Sequence, residues 1–123
     1  MSTRTTAQQF TLDEDAAAET GFAERYPVED NHSAALAIDQ AAHGDDEDLI
    51  ITGPDGWTFY ADLLANNDGD LDAYRILVQP PGANFLLAST VECIPWPEGS
   101  DTLDVLRRAV DAANELIREY QQR

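Results

Sequence analysis

The strongest condition on the fold comes from residues 101–123. There Leu103, Leu106, Val110, Ala113, Ile117 and Tyr120 recur at spacings of three and four. That period places them on one stripe of an α-helix of about five turns. Asp101 stands where a helix cap would stand, and Asp104 follows in the first turn, where a carboxylate meets the positive end of the helix dipole. Asp104 with Arg108, Arg107 with Asp111 and Glu119 with Arg123 have the i,i+4 spacing of helical ion pairs. Such a stripe must be covered. Its cover is either a sheet of the same chain or the same stripe on a second copy, a homodimer through the C-terminal helix. The sheet is the expected cover.

Residues 49–93 supply that sheet. Leu49, Ile50, Ile51 and Thr52 form a short apolar run. The turn Gly53-Pro54-Asp55-Gly56 follows, in which proline presets φ and glycine accepts a positive one. Trp57, Phe59, Ala61 and Leu63 then alternate with Thr58, Tyr60 and Asp62, which is the period of a half-buried strand. Tyr74, Ile76 and Val78 resume the alternation after a loop, Pro80-Pro81-Gly82 turns the chain, and Phe85, Leu87, Ser89, Val91 and Cys93 form the inward set of a last strand. Strands joined by short turns predict a four-stranded antiparallel β-meander.

Before the sheet, Thr11 and Glu14 have capping-box spacing, so a helix is expected from residue 12 to residue 20, stopped by Gly21. Asn31 or Ser33 can cap a second helix over residues 34–43 that ends at Gly44, with His43 in its last turn facing the negative end of the dipole. The expected architecture is α+β: one or two N-terminal helices, the meander, and the long amphipathic helix packed on one face. Residues 1–9 read as a flexible tail and residues 10–123 as one α+β domain.

Charge enters next, because it is extreme for a chain of 123 residues with a formal net charge of −17. A small domain ordinarily carries a magnitude of about 2–8. There is no lysine, and all seven cations are arginine. The acidity is uneven: residues 101–123 have a net of −1, residues 1–100 a net of −16. Direct binding of nucleic acid or of an anionic membrane is therefore disfavoured, since phosphates are held by cations. Two acidic loops stand out, Asp45-Asp46-Glu47-Asp48 and Asp68-Gly69-Asp70-Leu71-Asp72. In a meander the strands that follow them run in the same direction. Both loops should then share one end of the sheet and form an acidic rim facing a partner.

The motifs exclude more than they assign. Counted from Asp68, an EF-hand would need glycine at its sixth place and glutamate at its twelfth. Ala73 and Gln79 stand there, so at most a weak calcium site at 66–72 is left. His32, His43 and Cys93 are too few for a structural zinc site, and a single cysteine forms no intramolecular disulfide. No phosphate-binding, dinucleotide-binding or nucleophile-elbow motif is present. Neither a catalytic residue, nor a metal, nor a cofactor is expected. The start lacks the apolar core of a signal peptide, and the longest uncharged stretch, 76–91, is broken by Pro80, Pro81 and Gly82 and is too short to span a bilayer. A cytoplasmic location is expected, in a host cytoplasm if the chain is virus-encoded. Pro95-Trp96-Pro97 cannot extend a ladder; Trp96 is either a lid on the core edge or an exposed binding anchor.

In size and charge, though not in motif, the chain resembles acidic phage-encoded anti-defence proteins. That resemblance implies a small non-enzymatic inhibitor or adaptor whose acidic surface occupies a basic, nucleic-acid-binding groove of a protein partner. Asp45, Asp46, Glu47, Asp48, Asp68, Asp70, Asp72 and Trp96 are its candidate contact residues. The alternative is a halophilic domain whose acidity is adaptation to salt.

Overall fold

A computed structural model describes residues 9–45, 48–65, 68–69, 71–89, 92–93 and 101–122, and the side chains of all of these except 71, 72, 92 and 93. The expected tail (residues 1–8 of it), Asp46, Glu47, Asp70 and the Pro95-Trp96-Pro97 segment lie outside the described residues.

The elements follow the order β1 (Thr11–Leu12), α1 (Glu14–Thr20), α2 (Phe22–Arg25), α3 (Asn31–His43), β2 (Ile51–Thr52), β3 (Thr58–Ala65), β4 (Leu71–Gln79), β5 (Leu87–Ala88), β6 (Glu92–Cys93) and α4 (Thr102–Gln121). The class is α+β with antiparallel sheets and a long C-terminal helix, as the sequence predicts. The sheet itself differs from the expected meander. β2 does not join β3 but pairs with β1, Thr11 facing Thr52 and Leu12 facing Ile51. The reason is local competition for the backbone. The Ile50 carbonyl accepts from Asp13 N–H at 2.8 Å, and Ile50 N–H donates to the Ala41 carbonyl at 3.0 Å. On α4 the Asn114 amide imitates a strand, accepting from Phe10 N–H at 2.6 Å and donating to the Phe10 carbonyl at 3.0 Å.

What remains is the β3–β4 hairpin, paired from Thr58↔Gln79 to Ala65↔Leu71, with β5 and β6 both on the far side of β4. β5 pairs with β4 through Leu77↔Ala88 and Val78↔Leu87, and β6 through Ala73↔Cys93 and Tyr74↔Glu92. Ser89 adds to the first pairing: its N–H donates to the Ile76 carbonyl at 2.8 Å and its Oγ accepts from Ile76 N–H at 2.9 Å.

The helices cover one face. α4 lays Leu106, Ala113 and Ile117 against α3 and β4, all at 0% exposure. The stripe is wider than the sequence pattern: Val105, Ala109 and Leu116 are buried with it, while Leu103 and Tyr120 are only half-buried. Each fully buried Leu or Ile contributes about 1.5–3 kcal/mol relative to exposure. α3 approaches closely because Ala34, Ala37 and Ala41 form its inner side. The caps are carboxylates: Asp101 and Asp30 each start a capping box, with Asp104 and Ser33 as partners. In α1 the cap is Asp13 rather than Thr11, since Thr11 and Leu12 are drawn into β1, and Gly21 closes the helix at φ 67°. Gly53 has a different duty, close approach: a Cβ there would stand 2.2 Å from the Phe10 ring.

Candidate functional site

The outward-facing residues of the hairpin are Tyr60 and Asp62 on β3 and Arg75, Leu77 and Gln79 on β4, opposite the face that carries Phe59, Ile76 and Val78. The chain leaving β4 folds back beside them. Gln79 Nε2 donates to the Ala83 carbonyl at 2.8 Å and holds that loop. The result is a groove of about 520 Å³. Its floor is Leu77, and its walls are Tyr60, Phe85 and Leu86, which are 36%, 44% and 49% exposed. Asp62, Gln79 and Asn84 supply the polar rim, and among the described residues no cation lines it. Asp62 meets Arg75 across the strands at 3.5 Å, with both side chains well exposed. A pair of that kind contributes little, about 0–1 kcal/mol.

The free edge of β3 is closed by α3. Asp39 accepts from Ala61 N–H at 3.0 Å, and His43 Nε2–H donates to the Phe59 carbonyl. Two side chains thus satisfy an edge that would otherwise invite another strand. His43 does not merely face a dipole, as its place in the last turn suggests; its ring also stacks on Tyr60 with centroids 5.3 Å apart. Burial holds the Asp39 carboxyl above its ordinary value, the Ala61 hydrogen bond opposes this, and the neighbouring Asp62 charge adds to it. His43 also borders a second depression of about 370 Å³, lined by Phe10, Leu49 and Trp57 among others.

These contacts also locate the acidic loops. Asp39 meets Ala61 and His43 meets Phe59, so α3 runs antiparallel to β3 and ends beside its start. Asp45 and Asp48 therefore sit at the beginning of β3. Asp68, exposed, lies in the hairpin at its other end. Eight residues of strand separate the two, about 25 Å at the rise of an extended chain. The expectation of a shared end is corrected, because it required β2 inside the sheet. Asp72 falls in β4 opposite β3, with its side chain outside the described set.

Within the first loop the acids also part company. Asp45 is exposed, but Asp48 is buried at 7%. Asp48 takes the Arg25 guanidinium in an ion pair and accepts from the Tyr26 hydroxyl at 2.8 Å. The bonds from Arg25 and Tyr26 hold its carboxyl below the usual range, and Asp48 in turn raises the Tyr26 hydroxyl. Tyr26 also accepts, through its carbonyl, from the buried Thr102 hydroxyl at 2.6 Å. Asp48 thus fastens the loop to α2 and the start of α4, with its carboxylate largely covered. Arg25 lies 23 residues earlier, and no local pattern announces the pair. Sequence reasoning missed the groove too: Tyr60 was visible as an outward residue, but nothing in the alternation shows that residues 83–86 wall it in.

Among the described residues, no three His, Cys, Asp or Glu side chains gather as a metal site would require. No described helix is long and apolar enough to cross a membrane. Compared with known proteins, the chain matches no family model, no curated protein and no solved structure.

Proposed function

We propose that the chain is a small non-enzymatic protein-binding module, an inhibitor or adaptor whose partner presents a basic surface of the kind that holds nucleic acid. The observation that supports this reading best is the open groove: an apolar floor and walls under a carboxylate and amide rim, on a molecule of net charge −17. The arginines add to the support. Arg25 and Arg107 are committed to carboxylates of the chain itself, Arg107 to Glu14 at 2.7 Å and Asp104 at 2.6 Å, and Arg75 stands 3.5 Å from Asp62. The exposed acids therefore set the field that a partner meets, which speeds encounter with a basic protein and makes affinity fall with salt.

The experiment is capture from the native host, after nuclease treatment, at 0.05 M and 0.5 M KCl (about 14 Å and 4 Å of Debye length). The expected result is a basic protein retained at low salt only, whose nucleic-acid binding the chain then competes away. Retention indifferent to salt would count against the reading.

One observation favours a second reading. The two acidic loops lie at opposite ends of β3, and the acids of α1 and, apart from Asp104, those of α4 are exposed as well. A charge spread in this way suits a surface adapted to high salt. Melting curves from 0.1 M to 2 M KCl separate the two: a protein folded and monodisperse at 0.15 M supports the binding module, and one that folds only at molar salt supports adaptation.

A further inference from the structure

We propose that the groove on the open sheet face is an anchor pocket for a cationic segment of the partner, taking one large apolar side chain between Tyr60, Leu77, Phe85 and Leu86. This rests on the binding-module reading and adds to it a place and a chemistry. The pocket is built for a side chain rather than for charge alone. Leu77 at its floor is 9% exposed, while the walls stand 36–49% exposed. Contiguous exposed apolar surface rimmed by polar groups is characteristic of interaction sites, and a buried aromatic or aliphatic anchor is where such interfaces concentrate their affinity. The volume, about 520 Å³, lies within the range of ligand pockets, about 300–1,000 Å³.

Charge decides the flanks of the segment. Asp62 stands on the rim, Asp39 bonds the residue just before it, and Asp45 is exposed near the start of the same strand. Arg75 meets Asp62 only loosely, at 3.5 Å, so an arriving cation meets an incompletely neutralised carboxylate. A second copy of this chain is a poor occupant, because each copy brings a net charge of −17 and like charges across an interface repel. A nucleic acid is disfavoured for the same reason.

The test uses the full chain and three labelled twelve-residue peptides, followed by fluorescence anisotropy at 0.05 M and 0.3 M KCl. The first carries arginines around a central tryptophan, the second has serine in place of that tryptophan, and the third has glutamates in place of the arginines. The expected result is that the first binds at least tenfold tighter than either of the others. Leu86→Ser should abolish the advantage of tryptophan over serine, and Asp62→Asn should weaken both cationic peptides. Equal binding of the tryptophan and serine peptides would overturn the anchor pocket and leave the acidic-surface reading standing. If no cationic peptide binds at either salt, both fail. A dimer in sedimentation that Leu86→Ser dissolves would overturn the proposal in favour of a second copy. Should Leu86→Ser fail to fold, the peptide comparison on the unaltered chain decides alone.

Discussion

Both faces of the β3–β4 hairpin carry large apolar side chains, and only one is closed. On the inner face Phe59, Tyr74, Ile76 and Val78 are at most 2% exposed beneath α3 and α4. On the outer face Tyr60 and its neighbour Leu86 stand open, and Phe85 beside them, 44% exposed, brings its ring to 6.2 Å from that of Tyr120 on α4. The alternation along a strand says which residues share a face, not which face receives a cover. The cover comes from elements far away in the chain, and the inner face wins it because α4 brings a matching stripe.

The largest expected effect breaks the closed side. Leu106→Asp places an unpaired charge at 0% exposure, which costs several kcal/mol against a total stability of about 5–15 kcal/mol. Circular dichroism should report an unfolded chain. The matching change on the open side, Leu86→Asp, should keep the spectrum and most of the melting temperature. If the two variants behaved alike, the distinction between the faces would fail.

Much of this was legible beforehand, and the limits are physical. The α4 stripe, the hairpin and α3 rest on long periodic patterns, and each was expected within a few residues. The two-residue strands were not, because such short pieces have no period; β1 and β2 exist through Asn114 and the hydrogen bonds of Ile50. Trp57 begins the alternation in sequence, yet it lies just before β3, buried and edge-on to Tyr120 at 5.7 Å. Arg107 was expected to pair with Asp111 along the helix, but Glu14 of α1 and Asp104 take it. Of the candidate site, sequence could mark carboxylates and could not say which of them a distant arginine would claim.

The same contrast of inside and outside divides Asp45 from Asp48, with a smaller effect. Asp48→Asn leaves Arg25 facing a neutral amide and should lower the melting temperature at pH 7; Asp45→Asn should leave it unchanged or raise it. The sign with pH follows from the lowered carboxyl of Asp48. A group whose pKa falls on folding contributes stability in full above its unfolded value, about 3.9, and loses it as pH falls through the folded value. Melting curves of the unaltered chain and of Asp48→Asn should therefore converge below pH 4 or so. A constant gap down to pH 2 would mean that shape, not charge, is what Asp48 provides.

The smallest effect belongs to Asp39, at the boundary between the two faces, and its sign is opposite. Its carboxyl is raised by burial, so the folded chain holds its proton more tightly than the unfolded one. Stability from this group rises as pH falls from the raised folded value towards about 3.9. Asparagine keeps an oxygen to accept from Ala61 N–H and removes the disfavoured charge. Asp39→Asn should hence melt at the same temperature or slightly higher at pH 7, and that advantage should vanish in acid. Asp39→Ala removes the acceptor as well and leaves an edge N–H without its partner, which costs about 1–3 kcal/mol where the group stays buried. Melting the two variants side by side separates acceptor from charge. If Asp39→Asn were as damaging as Asp39→Ala, the charge itself would be holding the α3 edge.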